Sequence, residues 1–193
     1  MSSPAVLDAA NGRAEIIAAT ARVVIREGPE GLTMRGIAAE AGCTIGRLNH
    51  WFGSKDELIA AVLDDAVATA VGRTRRTGAE PEPTLLDTLT EFLPLDAQRD
   101  GEFRVWVVFW ALAIGRPELQ ARSAMRVREL RRQLTTLLGQ RGVADAAAHA
   151  DLVMATIDGI AANHLADPEH WTSERQVRVL VQALGAVVQG AVG

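Results

Sequence analysis

The sequence predicts an all-α protein of about nine helices, in which a small N-terminal three-helix domain precedes a larger helical C-terminal domain. Three observations support this fold class. Phenylalanine, tryptophan and tyrosine supply only 4% of the 193 residues, and tyrosine is absent, so residues that favour strands are scarce. Apolar residues form 48% of the chain and recur at intervals of three and four. Glycine, proline and capping residues divide these runs into segments of helical length.

The first three predicted helices are short. Apolar positions between residues 13 and 27 follow helical spacing, and the glycines and proline that follow end this segment. Thr33 is placed to cap a second helix over 34–41, and Gly42 provides a turn after it. Thr44 can then cap a third helix that runs to residue 51. Because so short a turn joins the last two helices, residues 33–52 are typical of a helix-turn-helix motif.

A longer helix follows, beginning at Lys55 with Ser54 as its cap and extending to about residue 71. The segment GAEPEPT, residues 78–84, contains two prolines and is the clearest linker in the chain. The predicted domains are therefore 10–70 and 71–193. Five further helices are expected in the second domain, at about 84–95, 101–114, 117–138, 144–165 and 173–189. Ser173 and Gln176 have the spacing of a capping box at the start of the last one.

The third short helix has one apolar and one polar face. On a helical wheel the two faces are formed by Ile45, Leu48, Trp51 and Phe52 on one side and by Gly46, Arg47, Asn49 and His50 on the other. Arg47 can donate in a fork to guanine or to a phosphate, and Asn49 can pair with an adenine edge or a phosphate. His50 can donate to a phosphate, and Gly46 lets the backbone approach a duplex closely. Ile45, at the edge of its arc, could contact a thymine methyl group.

Residues beside this helix extend the candidate DNA-binding surface. Lys55 lies at a helix N-terminus, where its ammonium group and free backbone N–H groups can both meet a phosphate. Thr33 opens the first helix of the motif, which usually crosses the DNA backbone. The complete set of candidate DNA-binding residues is Thr33, Arg35, Thr44, Ile45, Gly46, Arg47, Asn49, His50 and Lys55.

The average charge of the chain does not by itself indicate nucleic-acid binding. The net charge is −4, and residues 10–60 contain six basic and six acidic side chains. DNA binding would therefore depend on where individual charges are placed. Spacing alone is equally compatible with an ordinary solvent-exposed helix that carries no function.

The run EGPEGLTMRGIAAEAGCTIGRLNHWFGSKDELIAAVL resembles the TetR family of bacterial transcriptional regulators. The resemblance covers roughly residues 10–70 and includes GLT, IAAEAG, Thr44, Gly46, Leu48, the aromatic pair at 51–52 and SKDEL. The sequence departs from the family at Asn49, where tyrosine is usual, and at Trp51, where tyrosine or histidine is more usual. The resemblance implies a dimeric repressor whose paired helices bind a palindromic DNA operator and release it when a small molecule binds the C-terminal domain.

Aromatic residues in the stretch FRVWVVFWALAIGRPEL could line a pocket for that small molecule. Phe103, Trp106 and Trp110 share one helical face, with Phe109 beside it. Such a set suits a cationic ligand such as a quaternary ammonium ion, although the same residues could simply fill the core. The W-x-x-F-W stretch and the NHWF segment resemble the choline-responsive subgroup of the TetR family. This resemblance implies choline or a related amine as the effector.

The last two predicted helices are expected to form a homodimer interface, although a purely intramolecular core would give the same pattern. The first of them carries a stripe of mostly small residues, Leu152, Ala155, Gly159 and Ala162. The second carries an apolar stripe, Val177, Leu180, Val181, Leu184 and Val188. The preceding segment RPELQARSAMRVRELRRQ, residues 116–133, carries six arginines. A solvated face is the first interpretation of these residues, and an anionic effector or pairing with acidic neighbours is the second.

Several classes of protein are disfavoured by the sequence. A single cysteine, Cys43, excludes an intramolecular disulfide. No apolar run is long enough for a membrane span, and the first residues lack the pattern of a signal peptide, so a cytoplasmic location is expected. We find no catalytic group, no metal-ligand cluster and no cofactor motif. The rival to a DNA-binding regulator is a helical small-molecule-binding protein that has lost specific DNA binding.

Overall fold

The computed structural model describes residues 4–76 and 84–189, and within these ranges every regular element is helical. The α-helices are α1 (Pro4–Glu27), α2 (Met34–Glu40), α3 (Ile45–Trp51), α4 (Lys55–Arg76), α5 (Leu85–Thr90), α6 (Ala97–Ala113), α7 (Pro117–Gln140), α8 (Ala146–Ala166) and α9 (Ser173–Gln189), with a 3₁₀ turn at Gly28–Gly31. This confirms the all-α prediction for the described residues. The predicted linker at 78–84 lies almost wholly outside them.

Side-chain caps begin the helices around the predicted helix-turn-helix. The Thr33 hydroxyl accepts from the backbone N–H of Gly36 at 3.0 Å, and the Thr44 hydroxyl accepts from that of Arg47 at 3.2 Å. The Ser54 hydroxyl accepts from the backbone N–H of residue 57 at 3.1 Å. The predicted starts of α2, α3 and α4 are therefore confirmed, because each depends on a hydrogen bond between residues only three apart.

The turn between α2 and α3 is closed by a Schellman motif. The backbone N–H of Cys43 donates to the carbonyl of Ala38 at 2.9 Å, and that of Gly42 donates to Ala39 at 3.2 Å. Gly42 has φ = +60°, a conformation that glycine adopts without steric cost. The Arg22 and Arg26 guanidinium groups also hold α2 against α1 through the Glu40 carboxylate, at 2.7 and 3.0 Å.

The chain divides into two compact units. The first comprises the described part of Met1–Thr69 together with Arg104–Gln120, and the second comprises that of Ala70–Phe103 with Ala121–Gly193. In the first unit Val105, Phe109 and Leu119 join a hydrophobic core that includes Leu48 and Phe52. The division between Thr69 and Ala70 falls beside the boundary expected at residue 70, whereas residues 104–120 belong to the first unit because their apolar side chains are buried with the N-terminal helices.

The second unit has its own hydrophobic core. It is formed by Leu89, Leu93, Val153, Ile157, Ile160, Leu180 and Leu184 from α5, α8, α9 and the segment after α5. Helix α5 ends at Thr90 and not near residue 95 as predicted, because Pro94 has no N–H to donate and disfavours a helical conformation in the residue before it. No helix among the described residues is long and apolar enough to cross a membrane.

The start of α9 is also built differently from the predicted capping box. The hydroxyl of Ser173 donates to the carbonyl of Leu95 at 3.1 Å, and Thr172 accepts from the backbone N–H of residue 175 at 3.4 Å. Gln176 is fully buried and its amide donates to the carbonyls of Pro94 and Trp171. The predicted capping box is wrong because the side chains of Ser173 and Gln176 both contact the segment at residues 94–95, which sequence spacing cannot reveal.

Candidate nucleic-acid interface

Helix α3 presents one polar face to solvent because its other face is buried. Leu48 and Phe52 are completely buried in the first unit, and Trp51 is half-buried against the same core. The predicted outward residues Gly46, Arg47, Asn49 and His50 are all exposed. Ile45 was placed by the wheel beside the apolar face, but 45% of its surface is exposed. Its side chain is therefore free to contact a partner molecule.

The other candidate DNA-binding residues lie on the segments before and after α3. Thr33 and Thr44 are exposed, and each hydroxyl accepts a backbone hydrogen bond while keeping its own O–H to donate. Arg35 is exposed in the first turn of α2, and Lys55 is half-buried at the first position of α4. Helix α2 follows Thr33, and α4 begins four residues after α3 ends. The free backbone N–H groups at the starts of α2, α3 and α4 are therefore further hydrogen-bond donors in this region.

Within the part of the chain that the structure describes, the cations of this surface have no carboxylate partners. Arg35, Arg47 and Lys55 form no ion pair or side-chain hydrogen bond with any residue that the structure describes. By contrast, Arg22 and Arg26 are paired with Glu40, and the hydrogen bonds from Arg22 and then from Arg26 hold the pKa of that carboxyl below its usual range. The unpaired guanidinium and ammonium groups of α2, α3 and α4 are therefore available for phosphate or base contacts.

Gly46 is not required by the packing of the described residues. A methyl group added at this position would meet only the Thr44 hydroxyl, at an ordinary contact distance of 3.7 Å. Glycine in a helix costs up to about 1 kcal/mol relative to alanine. A glycine on the exposed face of a seven-residue helix is consistent with close approach of the backbone to another molecule.

Two family models match the chain. The model for bacterial regulatory proteins of the tetR family matches residues 16–62, which contain α2 and α3, and a BetI-type transcriptional repressor C-terminal model matches residues 81–189. The chain belongs to the TetR family of bacterial transcriptional regulators. The helix-turn-helix prediction and the resemblance found in the sequence are confirmed, and the rival hypothesis of a non-DNA-binding helical protein is not favoured.

Known proteins similar to this TetR-family chain include regulators and ligand-bound structures. The regulator PksA of Bacillus subtilis is 28% identical over 191 residues, covering 95% of this chain and 93% of its own. A transcriptional regulator from Rhodococcus has 30% identity and a TM-score of 0.84, covering 93% of this chain and 97% of its own. The multidrug binding protein EbrR in complex with ethidium has 28% identity and a TM-score of 0.67, covering 89% and 97%. A Saccharomonospora viridis structure in complex with choline, at 19% identity and a TM-score of 0.76 over 90% and 95%, shows the shared fold.

The four aromatic residues proposed as a pocket do not share one environment in this TetR-family regulator. Phe103 is buried in the second unit, with 7% of its surface exposed, and Phe109 is buried in the first, with 1% exposed. Phe109 lines a void of about 10 Å³, which is the size of one water molecule and too small for an organic effector. Trp106 and Trp110 are half-buried, with ring centroids 5.8 Å apart and planes inclined by 53°. Only these two rings have surface left for a ligand.

The predicted dimer residues also divide into two groups. Leu152, Ala155, Gly159 and Ala162 are all exposed along α8, and Val181 is exposed on α9. Leu180 and Leu184 are buried in the core of their own unit, so they point inward and are not available to a partner; Val177 is half-buried. The side chain of Val188 lies outside the described residues. The periodicity of α9 marked an apolar face correctly, but part of that face is covered by α5 and α8.

Sequence reasoning missed two charged residues near this region. Arg13 of α1 lies over the Phe52 ring, with its guanidinium carbon 5.0 Å from the ring centroid. Arg116, before α7, donates to the Asp56 carboxylate in the first turn of α4 at 2.8 Å. Both contacts join residues 39 or more positions apart, so no local pattern of spacing could have revealed them.

Proposed function

We propose that this TetR-family regulator is a cytoplasmic homodimer that represses transcription from a palindromic operator and leaves it when a small molecule binds. The observation that carries the DNA-binding part is the exposed face of α3, where the side chains of Arg47, Asn49 and His50 flank Gly46 and form no hydrogen bond or ion pair with the residues that the structure describes. In helix-turn-helix proteins the second helix enters the major groove, which places such side chains on base edges and phosphates. The candidate set from Thr33 to Lys55 is the proposed contact surface.

The test of DNA binding is affinity for the DNA immediately upstream of the protein's own gene against random DNA of equal length, over a series of salt concentrations. We expect a preference for the upstream DNA, two protomers per site and a steep fall of affinity with salt. Arg47→Ala should weaken binding to the operator more than binding to random DNA, because a bidentate contact to guanine is worth about 1–3 kcal/mol of discrimination. Equal losses on both DNAs would show that Arg47 contacts only phosphate, and no preference by the wild-type protein would refute the proposal.

The dimer is proposed to form through the exposed faces of α8 and α9. Small residues such as Ala155, Gly159 and Ala162 let helices approach closely, and Leu152 and Val181 add exposed apolar surface at 47% and 45% exposure. A palindromic operator requires two copies of α3 held one turn of DNA apart.

The dimer test uses point variants because deleting residues 173–193 would also remove Leu180 and Leu184 from the core. Leu152→Glu and Val181→Glu should each sediment as monomers at concentrations where the wild-type protein is a dimer. Ile114→Glu is the matched control, since Ile114 is an exposed apolar residue of the other unit. Dimers of unchanged stability in both α8 and α9 variants would contradict this interface.

The effector is proposed to be an organic cation that contacts Trp106 and Trp110. Two half-buried indole rings can hold a cation against their faces. Ethidium and choline, the ligands of two similar structures, are both cations. Titration with choline and with ethidium should change tryptophan fluorescence and release the operator, and Trp110→Ala should weaken both effects. If neither compound binds, these rings only complete the core.

A further inference from the structure

The guanidinium group of Arg13, a residue of α1 outside the helix-turn-helix motif, lies at the C-terminal end of α3. Its guanidinium carbon lies 5.0 Å from the centre of the Phe52 ring, and Phe52 is the residue that ends α3. The ring itself is completely buried, so the guanidinium group covers it from the solvent side. A cation–π contact orients a guanidinium group but leaves its N–H donors without acceptors. These donors therefore face solvent beside the exposed surface of α3.

A second guanidinium group reaches the same part of α1. The Arg47 side chain lies against the backbone at Gly12, so closely that a methyl group there would be 2.7 Å from its Nη2 atom. Glycine at residue 12 is what leaves room for this approach. Residues 12 and 13 are neighbours in α1. This part of α1 therefore carries its own guanidinium group, from Arg13, and contacts a second one, from Arg47 of α3.

No carboxylate among the described residues neutralises the charge of Arg13. Arg22 and Arg26, the next arginines on α1, both donate to the Glu40 carboxylate. Arg13 has no such partner among the described residues and is exposed. Arg22 and Arg26 stabilise the packing of α2 on α1, whereas Arg13, which is unpaired among the described residues, adds a positive charge to the surface that carries Arg47.

A helix in the major groove has a phosphate strand on each side. The groove is about 12 Å wide, and an α-helix with its side chains is about 10–12 Å across. Cations held beside the helix, and not on its base-facing side, therefore meet sugar–phosphate backbone. We infer that Arg13 binds a DNA phosphate at the edge of the major groove that α3 occupies. This inference rests on the proposed binding of operator DNA through α3.

A phosphate contact has a recognisable thermodynamic signature. Each phosphate neutralised by a cation changes the slope of log K against log salt concentration by about 0.9. Loss of the contact lowers affinity by the same factor for all sequences, because phosphates carry no sequence information. A dimer carries two copies of Arg13, so the slope should change by about 1.8 on removal of both.

The experiment compares Arg13→Gln, Arg13→Met and wild-type protein on the operator and on random DNA of equal length between 50 and 300 mM salt, on the order of the range over which phosphate contacts are resolved. Met keeps an apolar side chain over Phe52 but removes the charge, so it separates the phosphate contact from the packing. Arg22→Gln is the matched control on the same helix, since its charge is already paired with Glu40. Melting temperature is measured for every variant.

We expect both Arg13 variants to bind both DNAs on the order of tenfold more weakly with a shallower salt slope, and Arg22→Gln to retain the wild-type slope. An unchanged slope in Arg13→Gln would overturn the inference, as would a loss confined to the operator. Wild-type affinity in Arg13→Met would also overturn it, because packing over Phe52 would then be the whole role. A wild-type protein that binds neither DNA would refute the proposed function and not merely the role of Arg13.

Discussion

The Arg116 guanidinium donates from Nη1 to Oδ1 of Asp56 across 2.8 Å, which ties the turn before α7 to the first turn of α4 within the first unit. Asp56 follows Lys55, the proposed phosphate-binding residue at the start of α4. Arg116 therefore offsets a carboxylate that lies next to this proposed phosphate contact. The side chain of Arg116 is 40% exposed and that of Asp56 is 39% exposed. Because the pair is this exposed to solvent, it adds only about 0.2–1 kcal/mol to stability.

The first prediction concerns this ion pair. Arg116→Gln should weaken DNA binding several-fold with little change in melting temperature, because the Asp56 carboxylate then repels phosphate. The double variant Arg116→Gln with Asp56→Asn should recover wild-type affinity, since it removes the negative charge as well. Fluorescence anisotropy with labelled operator measures both. A double variant that binds as weakly as Arg116→Gln would mean that the arginine acts in some way other than through Asp56.

The second prediction separates stability from DNA binding at Gly46. Gly46→Ala should stabilise α3 by up to about 1 kcal/mol, because alanine is the better helix former and the added methyl group meets no clash. The same methyl group should weaken DNA binding if the α3 backbone approaches the duplex. Gly72→Ala in α4 is the control, since a methyl group there has no atom within 4 Å and should stabilise without affecting DNA. If Gly46→Ala kept full affinity, the glycine would have no role at the interface.

The third prediction concerns a charge network in the second unit. Arg73 donates to the Glu102 carboxylate at 2.6 and 2.7 Å and to Glu91 at 2.9 Å, and all three side chains are less than a quarter exposed. Arg73→Met should leave the Glu102 carboxylate without this cation and Glu91 with only the longer contact to Arg99 at 3.7 Å, at a cost of about 2–4 kcal/mol. Arg132→Met is the control, because the Arg132–Glu129 pair is on the surface and its loss should change the free energy of unfolding far less. Urea unfolding measures both, and similar small losses in the two variants would contradict the prediction.

The fourth prediction is a pH dependence at Asp158, on the exposed stripe of α8. Desolvation by the surrounding bundle raises the pKa of its carboxyl to about 6, although part of the side chain still meets solvent. The unfolded chain has a carboxyl pKa near 3.9, so the folded chain binds more protons between about pH 4 and 6. Wild-type stability should therefore fall as the pH rises through that window.

Removing this carboxylate should abolish that part of the pH dependence. Asp158→Asn should be more stable than the wild-type protein above pH 6 by at most about 1 kcal/mol, given the solvent contact, and equal to it near pH 4. The comparison is made by thermal unfolding at about pH 4.5, 6 and 8, which brackets the pKa of the Asp158 carboxyl by roughly two pH units. Asp151→Asn is the control, because Asp151 pairs with Arg131 and its loss should not stabilise at any pH. A stabilisation by Asp158→Asn that is equal at all pH values would contradict the titration.

Much of the candidate DNA-binding site could be predicted from the sequence because its geometry is local. The caps at Thr33, Thr44 and Ser54 and the glycine turn at residue 42 involve hydrogen bonds between residues three to five apart. The period of 3.6 residues then determines which side of α3 is apolar. The resemblance to the TetR family added the function, and the family models confirm it over residues 16–62 and 81–189.

The sequence by itself determined where the short helices begin, which face of α3 is polar and which family the chain belongs to. Only the tertiary structure decided that Phe109 and Leu180 are core residues, that residues 104–120 pack with the N-terminal helices, and that Arg13 covers Phe52. The physical reason is range. A helical pattern shows that a face must be covered, but the surface that covers it comes from residues far away in the chain, and so do the partners that leave one arginine paired and another free.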